Sequence, residues 1–600
     1  MCGIVGYKGK KNVKDILISG LETLEYRGYD SSGVAIHDGE KVNIVKSIGK
    51  IVNLKEKLKE HKFKKQICGI AHTRWATHGK VTEENSHPHK VGRVTLVHNG
   101  IIENYKDIEE ELKNKYEFKT ETDTEKIAAL IDSYYDGDNE IEAIEKTFDM
   151  LKGSYALAVI FDGKENIYGV KKDAPLLLGI GEDEYFLSSD ISAILEHTKE
   201  HIVLEDNEIV EISEDYKIYY EGILLNKDIQ TATWNIEEAQ KNGYDHFMLK
   251  EIEEQEELSK KLYAKYIEED NFSDSVVDLT KYKKVDLVGC GSAYHASLIA
   301  KYFADKYIST SKLNVNCYVA SEYRYQNHYY DEPTLVILFS QSGETADTLA
   351  CLRMCNENNV DTLAVVNVIS STIARESKYV MPMLAGPEIC VATTKGYFAQ
   401  SYICGLIMLK YIYKTKGIDK KELIRIFEEF RKLEKNISKV IKDETYKEIA
   451  KSIYKDEDIY YIGRGIDLYS CYEASLKLKE ISYIHSECFA SGELKHGPIA
   501  LISDQTPVIS ILTELKVADK AMSNIIESSS RGAKTIVIKK DEIQIEESQI
   551  NYVINVPTTS EYIENLLIMV ACQLLAYEVA KLRGCDIDKP RNLAKSVTVE

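Results

Sequence analysis

Cys2 follows the initiator methionine directly. If Met1 is removed, one residue carries both a thiol and a free α-amine, and that amine, with an ordinary pKa of about 8, can serve as the base that activates the thiol. For any single cysteine a packing thiol is the alternative. Here the surroundings argue for chemistry: GIVG runs on from Cys2, and EYRGYDSSG (25–33), AHTRWATHG (71–79), His98-Asn99-Gly100 and ETDTE (121–125) follow in order. His72, His78, His87 and His89 could be taken for metal ligands. No cysteine or acidic partner stands at ligand spacing, so surface and hydrogen-bonding histidines are expected, and no metal.

The back half carries three turns rich in small hydroxyls: Ser292, then Ser340-Gln341-Ser342-Gly343-Glu344-Thr345, then Thr393-Thr394. At helix starts such turns offer backbone N–H groups and hydroxyls to one phosphate without a basic patch. Ordinary helix capping accounts for one such turn better than for three. Gly289-Cys290-Gly291 and Gly463-Arg464-Gly465 begin like dinucleotide fingerprints, but Tyr294 and Leu468 stand where the last glycine belongs, so NAD is not expected. Lys477 lies one helical turn before Glu480, which lets the two bias each other's protonation.

The elements that must position these residues fall into two patterns. The chain has 600 residues, 44% hydrophobic and 29% charged, enough for several packed domains. Its formal charge of −21 disfavours nucleic acid and anionic membrane surfaces as partners, so a phosphorylated ligand must be gripped locally. The apolar run Leu566 to Ala576 falls short of a bilayer span, the amino terminus lacks a signal peptide's basic and apolar regions, and the twelve cysteines are scattered; a cytoplasmic protein is expected. Residues 1–240 alternate strand-like runs (3–7, 32–37, 93–98, 155–161, 167–171) with a few helices, the first over 12–26, without regular strand–helix–strand spacing. That pattern reads as an α+β sandwich. Residues 241–275 read as a charged linker helix. Beyond it, strand, glycine turn and helix repeat as in doubly wound parallel sheets, at 276–418 and again at 447–585, with a helical segment from 419 to 455. The spacing supports a duplication: Gly291 to Ser340 is 49 residues against 48 from Gly465 to Thr513, and the next interval is 22 in both. Residues 586–600 form a C-terminal tail.

CGIVG and the four motifs behind it resemble a class II glutamine amidotransferase domain of the N-terminal nucleophile hydrolase type, which implies an αββα sandwich. LFSQSGETADT and EASLKLKEISYIHSECFASGELKHGP resemble phosphosugar-binding sugar isomerase domains, and DKPRNLAKSVTVE matches the tail of one family. Front and back together resemble the glutamine:fructose-6-phosphate aminotransferase (isomerising) family over essentially the whole chain. The resemblance implies transfer of ammonia from glutamine to fructose 6-phosphate with isomerisation to glucosamine 6-phosphate, without a cofactor, in a homodimer. It implies that Cys2 attacks the glutamine amide, Asn99 and Gly100 form the oxyanion hole, and Arg74, Thr77, His78 and Asp123 hold glutamine. On the sugar side it implies that Lys595 forms a Schiff base with C2, His496 opens the ring, Glu480, beside Lys477, moves the proton between C1 and C2, and Ser292, Ser340, Gln341, Ser342, Thr345 and Thr393 bind the phosphate. Trp75 is a candidate ammonia gate or a packing aromatic. The sequence departs from the family pattern at Ala293, where many relatives have a hydroxyl, and at Thr393, which replaces a serine. Asparagine synthetases and the purine-synthesis amidotransferase share the front domain, but neither an SGGxDS-type ATP loop nor a phosphoribosyl motif is present. A sugar-regulated glutaminase and a non-enzymatic phosphosugar sensor are the remaining rivals.

Overall fold

The computed structural model describes residues 2–63, 65–76, 78–232, 240–310 and 312–598. The chain divides into two compact units, Met1–Gln240 with Ala594–Glu600, and Lys241–Leu593.

The first unit holds an eight-stranded and a seven-stranded antiparallel sheet. In the larger, Gly3–Gly9 lies between Cys68–Arg74 and Glu184–Ser188; in the smaller, Val94–Ile102 pairs along its whole length with Gly153–Phe161. The sequence of the last strand shows why the sheets stack. Successive side chains point to opposite faces, so Ala156, Ala158 and Ile160 join Ile4, Val97 and Leu187 in a core built from both sheets, while Tyr155, Leu157, Val159 and Phe161 pack with Ile127, Leu130 and Ile131 of the helix Asp123–Tyr134. On the far side of the larger sheet, Val13–Leu24 buries Val13, Leu17, Leu21 and Leu24 at spacings of four and three. This is the expected αββα sandwich.

The second unit contains two five-stranded parallel sheets. Each has its first strand, Lys284–Gly289 or Asp458–Gly463, flanked by the second and third strands, so both run in the order second, first, third, fourth, fifth. The two tandem doubly wound domains read from the spacing are both present. Their helix starts agree in detail: Gly291 (φ 53°, ψ −126°) precedes the helix Ser292–Tyr307, and Gly465 (φ 61°, ψ −130°) precedes Ile466–Ser482. Only glycine adopts such angles without strain.

The apolar run over 566–576 lies within the helix Glu564–Arg583. At 20 residues it is longer than the apolar run read from the sequence and is apolar enough to cross a bilayer by length and composition. Instead it is a core helix: Leu566, Leu567, Met569, Val570, Leu575 and Tyr577 are buried among residues of both sheets' cores. The helices Phe247–Glu253 and Gln255–Tyr266 belong to the same unit and feed Met248, Leu258 and Leu262 into that core.

Candidate active site

In the first unit, register brings the amino terminus to a pocket. Gly3 pairs with Thr73, so Cys2 lies against the turn that follows Arg74, and the Trp75 backbone N–H donates to Cys2 Sγ at 3.2 Å. The pocket is lined by Cys2, Arg74, Trp75, His78, Gly100 and Asp123 together with His87, His98, Thr122 and Thr124. Most of the expected glutamine-site residues therefore converge; Thr77 lies outside the described residues. Burial pushes the Cys2 thiol above its ordinary range, while the Trp75 N–H and the Arg74 guanidinium pull against it. A thiol so placed needs a base to ionise it.

Asn99 donates from Nδ2 to the Cys2 carbonyl at 3.0 Å. What fixes its amide is His72, whose Nε2 lies 2.9 Å from the His98 carbonyl and 3.1 Å from Asn99 Oδ1. Burial lowers the His72 pKa to about 3, so the ring is neutral, and its Nε2–H donates to both oxygens. His72 stacks on His87 at 4.0 Å, and His87 Nδ1 accepts from the His98 backbone N–H at 3.2 Å. Gly100 has φ 135°, and a Cβ there would lie 2.0 Å from the Ser154 carbonyl oxygen. Gly100 thus lines the pocket with Cys2, while the Asn99 amide is held against the Cys2 carbonyl.

The remaining pocket groups are held from outside. Arg74, at the end of its strand, donates to the carbonyls of His78, Gly79 and Lys80, which aims the guanidinium. Asp123 opens its helix, capped by Thr122, and accepts from the Ile102 N–H at 2.9 Å. A guanidinium and a carboxylate on one pocket suit an α-amino acid. Trp75 is partly buried and packs on Tyr29, ring centroids 6.3 Å apart. Lys595, partly buried, lies in the tail segment grouped with this unit. The histidines differ from the surface groups expected: His72, His87 and His89 are buried and hydrogen-bonded, and the described residues contain no cluster suited to a metal ion.

In the second unit, Ser340 ends its strand and its Oγ accepts from the Gly343 N–H at 3.0 Å and contacts Thr345 Oγ1 at 2.9 Å. Ser342 Oγ accepts from the Glu344 N–H, and Thr345 immediately precedes the helix Ala346–Glu357 without a side-chain capping bond. Thr393 Oγ1 donates to Glu388, and a Cβ on Gly396 would touch both Thr393 and Gln341, so these two side chains border one space. Ser340, Gln341, Ser342 and Thr345 lie at the amino terminus of Ala346–Glu357, where a phosphate is favoured, whereas Thr393 precedes the helix Lys395–Lys414, whose first N–H groups already donate to Glu388. The repeat does not reproduce this cradle. At the matching turn Asp467 accepts from Thr513, and the Glu514 carboxylate fills the space beside Gly465, charges that would repel a phosphate.

Ser292 stands apart from the hydroxyl cluster. Its Oγ donates to Glu473 Oε1 at 2.8 Å and accepts from Lys477 Nζ at 3.1 Å, so the hydroxyl expected to touch phosphate is committed elsewhere. Lys477 pairs with Glu480 at 2.6 Å and with Glu473 at 3.4 Å, and His295 Nδ1 donates to Glu473 Oε2 at 2.8 Å. Burial works to neutralise both buried groups, but their mutual attraction wins: the Lys477 ammonium is held above its usual range and the Glu473 carboxyl below it. Glu473 and His295 were missed in the sequence; the four-residue interval from Glu473 to Lys477 was the available signal. His496 is exposed, on the short turn Glu493–His496.

Comparison with known proteins agrees with this division. Residues 72–196 match the glutamine amidotransferase domain family, and 278–410 and 452–581 each match the SIS domain family. The glutamine–fructose-6-phosphate aminotransferases (isomerizing) of Clostridium tetani and Clostridium perfringens are 45% and 44% identical, over 100% of this chain and of theirs. That of Thermococcus kodakarensis is 41% identical over the same full coverage. Among solved structures, the C-terminal domain of glucosamine-fructose-6-phosphate aminotransferase from Francisella tularensis is 32% identical with a TM-score of 0.55, covering 58% of this chain and 99% of that one. With full-length relatives above 40% identity and both domain types in place, the chain belongs to the glutamine–fructose-6-phosphate aminotransferase (isomerizing) family.

Proposed function

We infer that this enzyme transfers ammonia from glutamine to fructose 6-phosphate and isomerises the product, giving glucosamine 6-phosphate and glutamate. The observation that carries the reading is the pairing, in one chain, of the Cys2 pocket with the hydroxyl cradle at Ser340–Thr345. In this reading the Cys2 α-amine, freed by removal of Met1, takes the thiol proton. The sulfur attacks the glutamine side-chain carbonyl, and Asn99 with the Gly100 amide stabilises the oxyanion, each worth on the order of 3 kcal/mol. The C–N bond breaks, ammonia leaves with a proton, and water hydrolyses the thioester to glutamate. Arg74 takes the substrate α-carboxylate and Asp123 its α-ammonium, with Thr77 and His78 completing the pocket.

On the sugar side, Ser340, Gln341, Ser342, Thr345 and Thr393 hold the phosphate. His496 opens the ring, and Lys595 forms a Schiff base with the C2 ketone that ammonia displaces. Glu480 then removes a proton from C1, and the C–H electron pair forms a C1=C2 double bond as the C2=N pair moves onto nitrogen, which takes a proton; the carried proton then returns to C2 as the C1 hydroxyl gives up its own, leaving an amine at C2 and an aldehyde at C1. Ammonia protonated in water is no longer nucleophilic, so the transfer requires a water-excluding route, with Trp75 as its gate. A cytoplasmic homodimer completes the proposal: the twelve free cysteines suit a reducing compartment, and sedimentation tests the dimer. Product analysis tests the function itself. With both substrates, glutamate and glucosamine 6-phosphate should form together, and omission of glutamine should abolish the amino sugar. Glutamate with free ammonia and no amino sugar would make this a sugar-regulated glutaminase.

A further inference from the structure

The Lys477 ammonium sits among three oxygens: it pairs with Glu480 at 2.6 Å and Glu473 at 3.4 Å and donates to Ser292 Oγ at 3.1 Å. It is 1% exposed, and Glu473 is fully buried. Glu473 in turn spends its oxygens on Ser292 and His295, both from the helix Ser292–Tyr307 of the first doubly wound domain, while Lys477 and Glu480 lie on Ile466–Ser482 of the second. The buried Tyr397 hydroxyl faces Glu473 from Lys395–Lys414. A fully buried carboxylate is retained only against a strong partner. It precedes Lys477 by one helical turn as Glu480 follows it by one, which gives it a consequence for chemistry: it neutralises part of the field that Lys477 exerts on Glu480.

We propose that Glu473, anchored by Ser292 and His295, is a positioning residue for the sugar isomerisation: it fixes Lys477 and divides its charge, so that Glu480 is held in place yet stays basic enough to take the C1 proton. This rests on the reading of Glu480 as the proton carrier. Without the Glu473 charge, the whole Lys477 field falls on Glu480 and weakens it as a base. The sign follows: Glu480 becomes a weaker base, so the C1 proton transfer, and with it kcat, slows.

The experiment is glucosamine 6-phosphate synthesis by the full chain, with kcat and KM measured for Glu473→Gln, His295→Ala and Glu480→Gln on fructose 6-phosphate and on its C1-deuterated form. A positioned base contributes roughly 10²- to 10⁴-fold, and Glu473→Gln should lose about tenfold of it in kcat with little change in the KM for fructose 6-phosphate. Its deuterium isotope effect on kcat should rise as proton removal slows, and His295→Ala should lose less. A folded Glu473→Gln enzyme with unchanged kcat and isotope effect would overturn the proposal. If Glu473→Gln does not fold, an unchanged kcat and isotope effect in His295→Ala overturn it instead. Full synthesis in Glu480→Gln would remove the underlying reading; loss there, with both other variants unaffected, removes only the role of Glu473.

Discussion

Mild acid should unfold the first unit from within, because its pocket is backed by imidazoles with no room for a proton. His72, His87 and His89 are 0%, 5% and 2% exposed. Burial holds the His72 pKa near 3 and those of His87 and His89 well below the ordinary histidine range. In the unfolded chain each titrates near 6.5. The unfolded state therefore binds more protons, and the stability these rings contribute is complete above pH 6.5 and lost as pH falls toward their folded values. One unit below 6.5, each neutral ring costs about 1.4 kcal/mol, and three independent rings about 4 kcal/mol, a large share of the roughly 5–15 kcal/mol that stabilises a domain. Trp234 lies outside the described residues; in a Trp234→Phe background the remaining tryptophan, Trp75, lines the pocket, so indole emission reports this unit. Urea titrations followed by that emission should show the midpoint fall steadily between pH 7.5 and 5.5. His89→Asn, which keeps a partner for Thr122, should remove about a third of the loss. A midpoint that stays constant or rises on acidification would refute the reasoning.

Three further outcomes follow from named contacts. Gly100→Ala forces a Cβ to within 2.0 Å of the Ser154 carbonyl oxygen, and glutamine hydrolysis should fall about 10²- to 10³-fold, as for loss of one oxyanion donor, with fructose 6-phosphate binding retained. Glu564, buried, has its pKa raised to about 7 by desolvation despite Lys540, so its contribution is present below about 4.5 and lost as pH rises through 7. Glu564→Gln should then stabilise the second unit by about 1–3 kcal/mol at pH 8 and leave it unchanged below pH 5, read by calorimetry. Trp75→Ala should keep glutaminase activity but release more glutamate than glucosamine 6-phosphate; equal yields would leave Trp75 a packing partner of Tyr29.

The fold was legible where local pattern and tertiary context agree. Strands buried on both faces, such as Tyr155–Phe161 and Thr334–Phe339, announce themselves as continuous apolar runs. The duplication showed in the matched intervals from Gly291 and Gly465. Edge strands were harder: Asn314–Val319 and His485–Ala490 carry Asn, Cys, Ser and Glu and were not picked out as strands. At the sites, residues within one motif were found, since Arg74, Trp75 and His78 share a turn. The Ser292–Glu473–Lys477 network was not, because its partners are 181 and 185 residues apart and meet only when two domains pack. Histidine burial was misjudged for the same reason: a polar ring in a β-rich segment looks solvated until both of its faces are covered.

The central claim is that nitrogen passes from the glutamine amide to the sugar without entering bulk solvent. Glutamine labelled with ¹⁵N in the amide, supplied with fructose 6-phosphate and an excess of unlabelled ammonium, tests it directly. The account predicts glucosamine 6-phosphate carrying ¹⁵N at its amine, in amounts equal to the glutamate released. Unlabelled amino sugar, or glutamate accompanied only by labelled ammonium, would contradict it.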